Sequence, residues 1–134
     1  MIQRDYILRM LADLAEAMAK ILHLKNDHDT EPAFDEAVKK IEDLYKMRLD
    51  HFLTLPSDEL LKPEWNINTG MADQIGEFLT ITGELAGDVK KYDAKECLLI
   101  KALWLLQQAE LKSNTFSFNR TVLINKLKNE LGVD

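Results

Sequence analysis

Residues 7–24 read ILRMLADLAEAMAKILHL, and their pattern decides the fold class. Arg9, Asp13, Glu16, Lys20 and His23 recur at alternating spacings of four and three. At about 100° per residue they share an arc of roughly 80° on a helix. Nearly all the remaining circumference is apolar. Ile7, Leu11, Leu14, Met18 and Ile21 form one stripe, and Leu8, Ala12, Ala15, Ala19 and Leu22 form the next, with Met10, Ala17 and Leu24 beyond. Removing apolar area from water contributes about 25 cal/mol per Å². Such a helix is therefore expected to be wrapped by neighbours, from its own chain or from a partner, and the class that follows is all-α.

The flanking sequence supplies the neighbours. The first helix is expected from about Asp5 to Lys25, ending at the polar turn of residues 26–29. Thr30 offers an N-cap, with Glu31 and Pro32 in the first turn, where proline is tolerated. Phe34, Val38, Ile41, Tyr45, Leu49 and Phe52 then repeat at helical spacing opposite Lys39, Lys40, Glu42, Asp43 and Lys46. Residues 54–69 are irregular, punctuated by Pro56 and Pro63 and containing Trp65, which reads as packing. A third long helix is predicted from Asn68 or Thr69 to about Lys90. Its stripe Ala72, Gly76, Leu79, Gly83 and Ala86 contains two interior glycines, each costing about 1 kcal/mol relative to alanine. Close approach to a second backbone offsets that cost, and the Ala12, Ala15, Ala19 ridge is the expected partner. Asp93 with Glu96 marks the start of a fourth helix through Leu111. This helix is apolar around most of its circumference, with Lys101 expected to carry its amine out to water along its stem. Ser117 caps a last helix that ends at Gly132. The expected architecture is an antiparallel bundle of about five helices in one domain, the first and fourth most enclosed. Residues 1–53 form an N-terminal pair, 54–69 the connection and 70–134 a hairpin plus final helix.

The bulk composition bounds function. The 134 residues carry a net charge of -6, with 46% hydrophobic and 30% charged residues. Nucleic-acid binding needs clustered Lys and Arg to displace counterions, so this balance argues against it. Asp27, Asp29, Glu31, Asp35 and Glu36 cluster after the first helix and read as a solvated face. Cys97 is the sole cysteine, which excludes an internal disulfide framework. The apolar run from Cys97 to Leu106 is broken by Lys101 and too short to span a bilayer. The opening is interrupted by Asp5, Asp13 and Glu16, unlike a secretory leader, so a cytoplasmic location without membrane association is expected.

Signatures of catalysis are missing. The glycines at 70, 76, 83, 87 and 132 match neither a dinucleotide nor a nucleotide-triphosphate loop. His23, His28 and His51 lack the glutamate spacing of helical di-iron sites. Asp27, Asp29 and Glu31 imitate the start of a calcium loop, but Pro32 and Val38 occupy the positions that need glycine and glutamate. Cys97 falls within an apolar helix, where a thiol behaves as a small hydrophobe. No catalytic residue, metal or cofactor is expected.

Three segments taken together carry a likeness. Arg4-Asp5-Tyr6-Ile7-Leu8-Arg9-Met10, the pair Gly83-Glu84-Leu85 and Tyr92-Asp93-Ala94, and Thr115-Phe116-Ser117-Phe118-Asn119-Arg120 resemble an uncharacterised family of small all-helical bacterial proteins. The resemblance implies an N-terminal helical pair followed by a tetratricopeptide-like hairpin, and brings no assigned biochemical activity with it. Ala102, Leu106 and Ala109 have the small, large, small spacing of that repeat's second helix. The tyrosine expected shortly after the glycine is displaced to Tyr92, and no second copy recurs at a 34-residue period. The expectation is thus a protein-interaction or scaffold module. Its partner is another protein or a second copy, met by Ile7, Leu11, Leu14 and Met18, with Arg4, Asp5 and Arg9 as a recognition patch. The alternative is an enzyme or small-ligand binder with a pocket between helices near residues 54–69 and Trp65 as a wall.

Overall fold

The computed structural model describes residues 2–62 and 69–133. The described residues are 83% helical, 3₁₀ turns included, and no strand occurs among them. Six α-helices follow in order: α1 (Ile2–Asn26), α2 (Thr30–Tyr45), α3 (Leu49–Thr54), α4 (Ala72–Asp88), α5 (Tyr92–Lys112) and α6 (Phe118–Leu131). Short 3₁₀ turns lie at Ser57–Glu59 and Thr69–Met71. The α4–α5 hairpin is the most extensive helix contact. α1 and α2 pair with each other and rest on α4, and α6 packs on α5. No helix among the described residues is long and apolar enough to cross a membrane.

The glycine stripe of α4 packs on α5, not on the alanine ridge of α1. A Cβ at Gly76 would stand 2.8 Å from Leu106 Cγ and 3.3 Å from the Ala102 carbonyl oxygen, and one at Gly83 would stand 2.7 Å from Leu99 Cδ2. Ala12, Ala15 and Ala19 are exposed. The enclosure expected of α1 is correspondingly one-sided. Leu14, Met18 and Ile21 are buried, and Ile7 and Leu11 are half-buried against the core, whereas Leu8 is 55% and Leu22 38% exposed. Alanine explains the difference: its methyl offers little area, so leaving three alanines in water forfeits little free energy. α5 is buried along Leu98, Ala102, Leu105 and Ala109, yet Ile100 and Leu111 face solvent.

Helix ends depart from the sequence pattern for local reasons. The repeat from Phe34 to Phe52 is split, because Lys46 takes a left-handed conformation (φ 56°) and ends α2, and α3 begins three residues later. Glu42 Oε2 accepts the Leu49 amide at 2.9 Å, so α2 itself satisfies an open donor of α3. Thr30 lies inside α2 after Asp29, and neither forms a side-chain cap bond. Asp93 is also inside its helix, since α5 starts at Tyr92. Ser117 does cap α6, accepting the Arg120 amide at 3.2 Å, and Gly132 closes that helix at φ 70°. Lys101 does not reach water. It is 4% exposed, donates from Nζ to the Leu53 carbonyl at 3.2 Å and lies 5.8 Å from the Phe52 ring centroid. The negative end of α3 thus holds the amine inside, and burial lowers its pKa.

Two stability measurements check this packing. Leu14→Glu is expected to cost about 4 kcal/mol in urea unfolding, and Leu8→Glu less than about 0.5 kcal/mol; equal costs would invalidate the inward face assigned to α1. Gly76→Ala should lower stability by about 1 kcal/mol, because overpacking outweighs the gain in helix propensity. Gly87→Ala should raise it by about half a kcal/mol, because a Cβ there meets only the flexible Lys95 side chain.

Candidate functional site

The hairpin geometry creates a groove. α4 and α5 run antiparallel, as do α5 and α6, so α4 and α6 lie side by side in the same direction on the α5 surface. They stand apart from one another, and two ion pairs bridge the gap. Arg120 donates from Nε to Asp73 Oδ1 and from Nη2 to Asp73 Oδ2, both at 2.7 Å. Near the other end of α4, Lys126 Nζ donates to Glu84 Oε1 at 3.0 Å, and Lys25 of α1 reaches Glu84 Oε2 at 3.4 Å. Between these bridges lies an open cavity of about 570 Å³. Leu106 of α5 contributes to its lining, with Glu77, Thr80 and Ile81 from α4 and Phe118, Val122 and Leu123 from α6.

Each ionic group has a definable environment. The Arg120 side chain is 6% exposed and its Asp73 partner 45%. The two-pronged pairing matches the planar guanidinium to the planar carboxylate, and it pushes the Arg120 pKa further up. Arg120 Nη1 is buried and has no hydrogen-bond partner. Burial raises the Glu84 carboxyl, but the ammonium groups of Lys126 and Lys25 outweigh that effect and leave its pKa below the usual value. Glu77 is exposed and has no ion pair among the described residues. A second cavity of about 280 Å³ shares the Asp73–Arg120 pair and adds Gly70, Ala109, Lys112 and Ser113.

The groove's hydroxyls are engaged locally: Thr80 donates to the Gly76 carbonyl at 2.8 Å, and Ser117 accepts the Arg120 amide. No imidazole or thiol lines the cavity. Among the described residues, no group of three His, Cys, Asp or Glu side chains is placed to hold a metal ion. The edge that α6 gives the groove is apolar. Phe118 is 70% and Val122 49% exposed at its edge, and Phe116, just before α6, is 75% exposed.

The residues singled out from sequence lie elsewhere. Ile7, Leu11, Leu14 and Met18 face this chain's own core, and the outward apolar face of α1 is Leu8 with Leu22. Asp5 and Arg9 are exposed, and the side chain of Arg4 lies outside what the structure describes. Trp65, with the rest of residues 63–68 of the expected 54–69 pocket wall, also lies outside the described residues. Asp73, Glu77 and Glu84 escaped sequence reasoning. Their spacings of four and seven place them on one face of α4, which is a legible signal, but nothing local marks Arg120 as the counterpart of Asp73, 47 residues away.

A double-mutant cycle tests whether the Asp73–Arg120 fork acts as one unit. Asp73→Ala strands a buried guanidinium and is expected to cost about 2 kcal/mol. The double variant Asp73→Ala/Arg120→Met should cost less than the sum of its singles by about 1–3 kcal/mol. Additive losses in urea denaturation would show that the two residues stabilise the chain independently. Comparison of the whole chain with protein-family models, curated proteins and solved structures finds no match.

Proposed function

We propose that this chain is a non-catalytic helical module that binds another protein through the α4–α6 groove and the aromatic corner beside it. The observation that carries this reading is the exposure of Phe116, Phe118 and Val122 next to a cleft already formed and braced by two ion pairs. Large apolar side chains clustered at the surface forfeit solvation free energy unless a partner covers them, and aromatic side chains dominate the energetics of protein contacts. The bridges hold α4 and α6 apart without a partner, so little ordering cost falls on association. The engaged hydroxyls and the paired cations fit a surface that recognises and does not react.

In-cell crosslinking tests the reading. A photoreactive phenylalanine analogue placed at position 118 is expected to give discrete adducts with another protein, whereas the same analogue at Lys39, on the exposed face of α2, gives none. Adducts only of doubled chain mass would replace this function with self-association. Identical patterns from both positions, or no adduct at 118, would remove the groove as the binding surface.

A further inference from the structure

The charge left open in the groove identifies the kind of segment it takes. Asp73, Glu77 and Glu84 supply three carboxylates to the lining, and Arg120 and Lys126 supply two cations. Both cations are ion-paired, Arg120 through Nε and Nη2 with Asp73 and Lys126 with Glu84, although Arg120 Nη1 is buried without a hydrogen-bond partner. Glu77 remains without an ion pair among the described residues, one turn from Asp73, whose carboxylate is still 45% exposed. An entering cation therefore meets unneutralised carboxylate, while an entering anion meets cations whose charges are already paired. The net charge of -6 on the chain adds a long-range field of the same sign.

Shape narrows the occupant further. The bridges at Asp73 and Glu84 are eleven residues apart on α4, which at 1.5 Å per residue is about 16 Å, or three helical turns. A cleft bounded by two helices running side by side, with a leucine between them, suits a third helix laid into it along their length. Phe118, Val122 and Ile81 offer apolar contacts along that line, and Glu77 offers a charge contact beside them.

From this arrangement, and resting on the binding function proposed above, we infer that the α4–α6 groove takes a cationic amphipathic helix of a partner protein. Leucine- or phenylalanine-type side chains of that helix lie on Phe118 and Val122, and a lysine or arginine of it pairs with Glu77. The affinity comes mainly from the apolar contacts, and the Glu77 contact sets the preference for sign.

Fluorescence anisotropy with two labelled 18-residue probes, a leucine/lysine amphipathic helix and its leucine/glutamate counterpart, tests this on the purified chain. The lysine probe is expected to bind and the glutamate probe to bind about tenfold more weakly or not at all. Phe118→Ser or Val122→Ser should weaken the lysine probe about tenfold. Glu77→Lys should weaken it several-fold, and Glu31→Lys, within the acidic cluster on α2, should leave it unchanged. All four positions are exposed or half-exposed, and circular dichroism confirms that each variant folds. Equal binding of both probes, or an unaltered Glu77→Lys variant, would overturn the cationic preference and leave the groove's binding role standing. A Glu31→Lys loss as large as that of Glu77→Lys would show unspecific charge attraction and overturn the inference as well. Binding of neither probe, or binding indifferent to Phe118 and Val122, would overturn the groove as a helix-binding site altogether. A concentration-dependent dimer of the chain alone, dissolved by Phe118→Ser, would make a second copy the occupant.

Discussion

The close approach of α4 and α5 at Gly76 and Gly83 is the constraint on which the rest of the structure depends. Leu106 and Leu99 occupy the space that side chains at those two positions would need. With α5 drawn in, Leu106 comes to line the cleft beside α4, and α6, packed on α5, is carried alongside α4 without touching it closely. The groove is therefore a product of unequal spacing. One helix pair is in intimate contact through glycine, and the second-neighbour pair is bridged by charged side chains across a cleft.

Those bridges do different work at the two ends. Arg120 is nearly buried, so removing its partner leaves a desolvated charge, and the Asp73 fork is correspondingly a structural fixture of the α6 start. Ser117 reinforces it, because its hydroxyl accepts the amide of the same residue whose guanidinium crosses to α4. Glu84 is shared between α6 and α1 and sits among more exposed ammonium groups, Lys126 at 54% and Lys25 at 31%. Screening by water weakens that end, and its contribution is mainly orientation.

Much of the fold was legible in the sequence because helical periodicity over long segments reports burial directly. The all-α class, the long helices, the Ser117 cap and the Gly132 stop follow from local patterns. The errors have physical causes. Treating alanine as equivalent to leucine made α1 look wrapped on all sides, although Ala12, Ala15 and Ala19 carry too little area to demand cover. One helix end escaped, that of α2, because Lys46 adopts a left-handed conformation that usually announces itself as glycine; His28 and Lys90 do the same just beyond α1 and α4, whose ends the sequence places within two residues. Backbone bonds hold them there. The Asp29 amide reaches the Leu24 carbonyl, the Lys46 amide that of Glu42, and the Lys91 amide that of Ala86, so hydrogen bonding offsets the steric cost. The glycines stand instead inside α4, where packing needs them. The candidate site was less legible, because it exists only through pairs such as Asp73 with Arg120, distant in sequence and ordinary in type.

A chain with this charge distribution has little reason to leave Phe118 and Val122 bare. Both could be replaced by polar residues without disturbing the core, since neither belongs to it. The cations on either side of them are held by acids of the neighbouring helix, which keeps the groove from collapsing and keeps those cations from repelling a basic partner. Glu77 stands between the two bridges without an ion pair among the described residues. An apolar edge, a braced cleft and one open carboxylate are each ordinary features of a protein surface. Placed within three helical turns of one another, they are mutually consistent as parts of the proposed recognition surface, and of the three only the bracing at Asp73 and Arg120 also serves the stability of the fold.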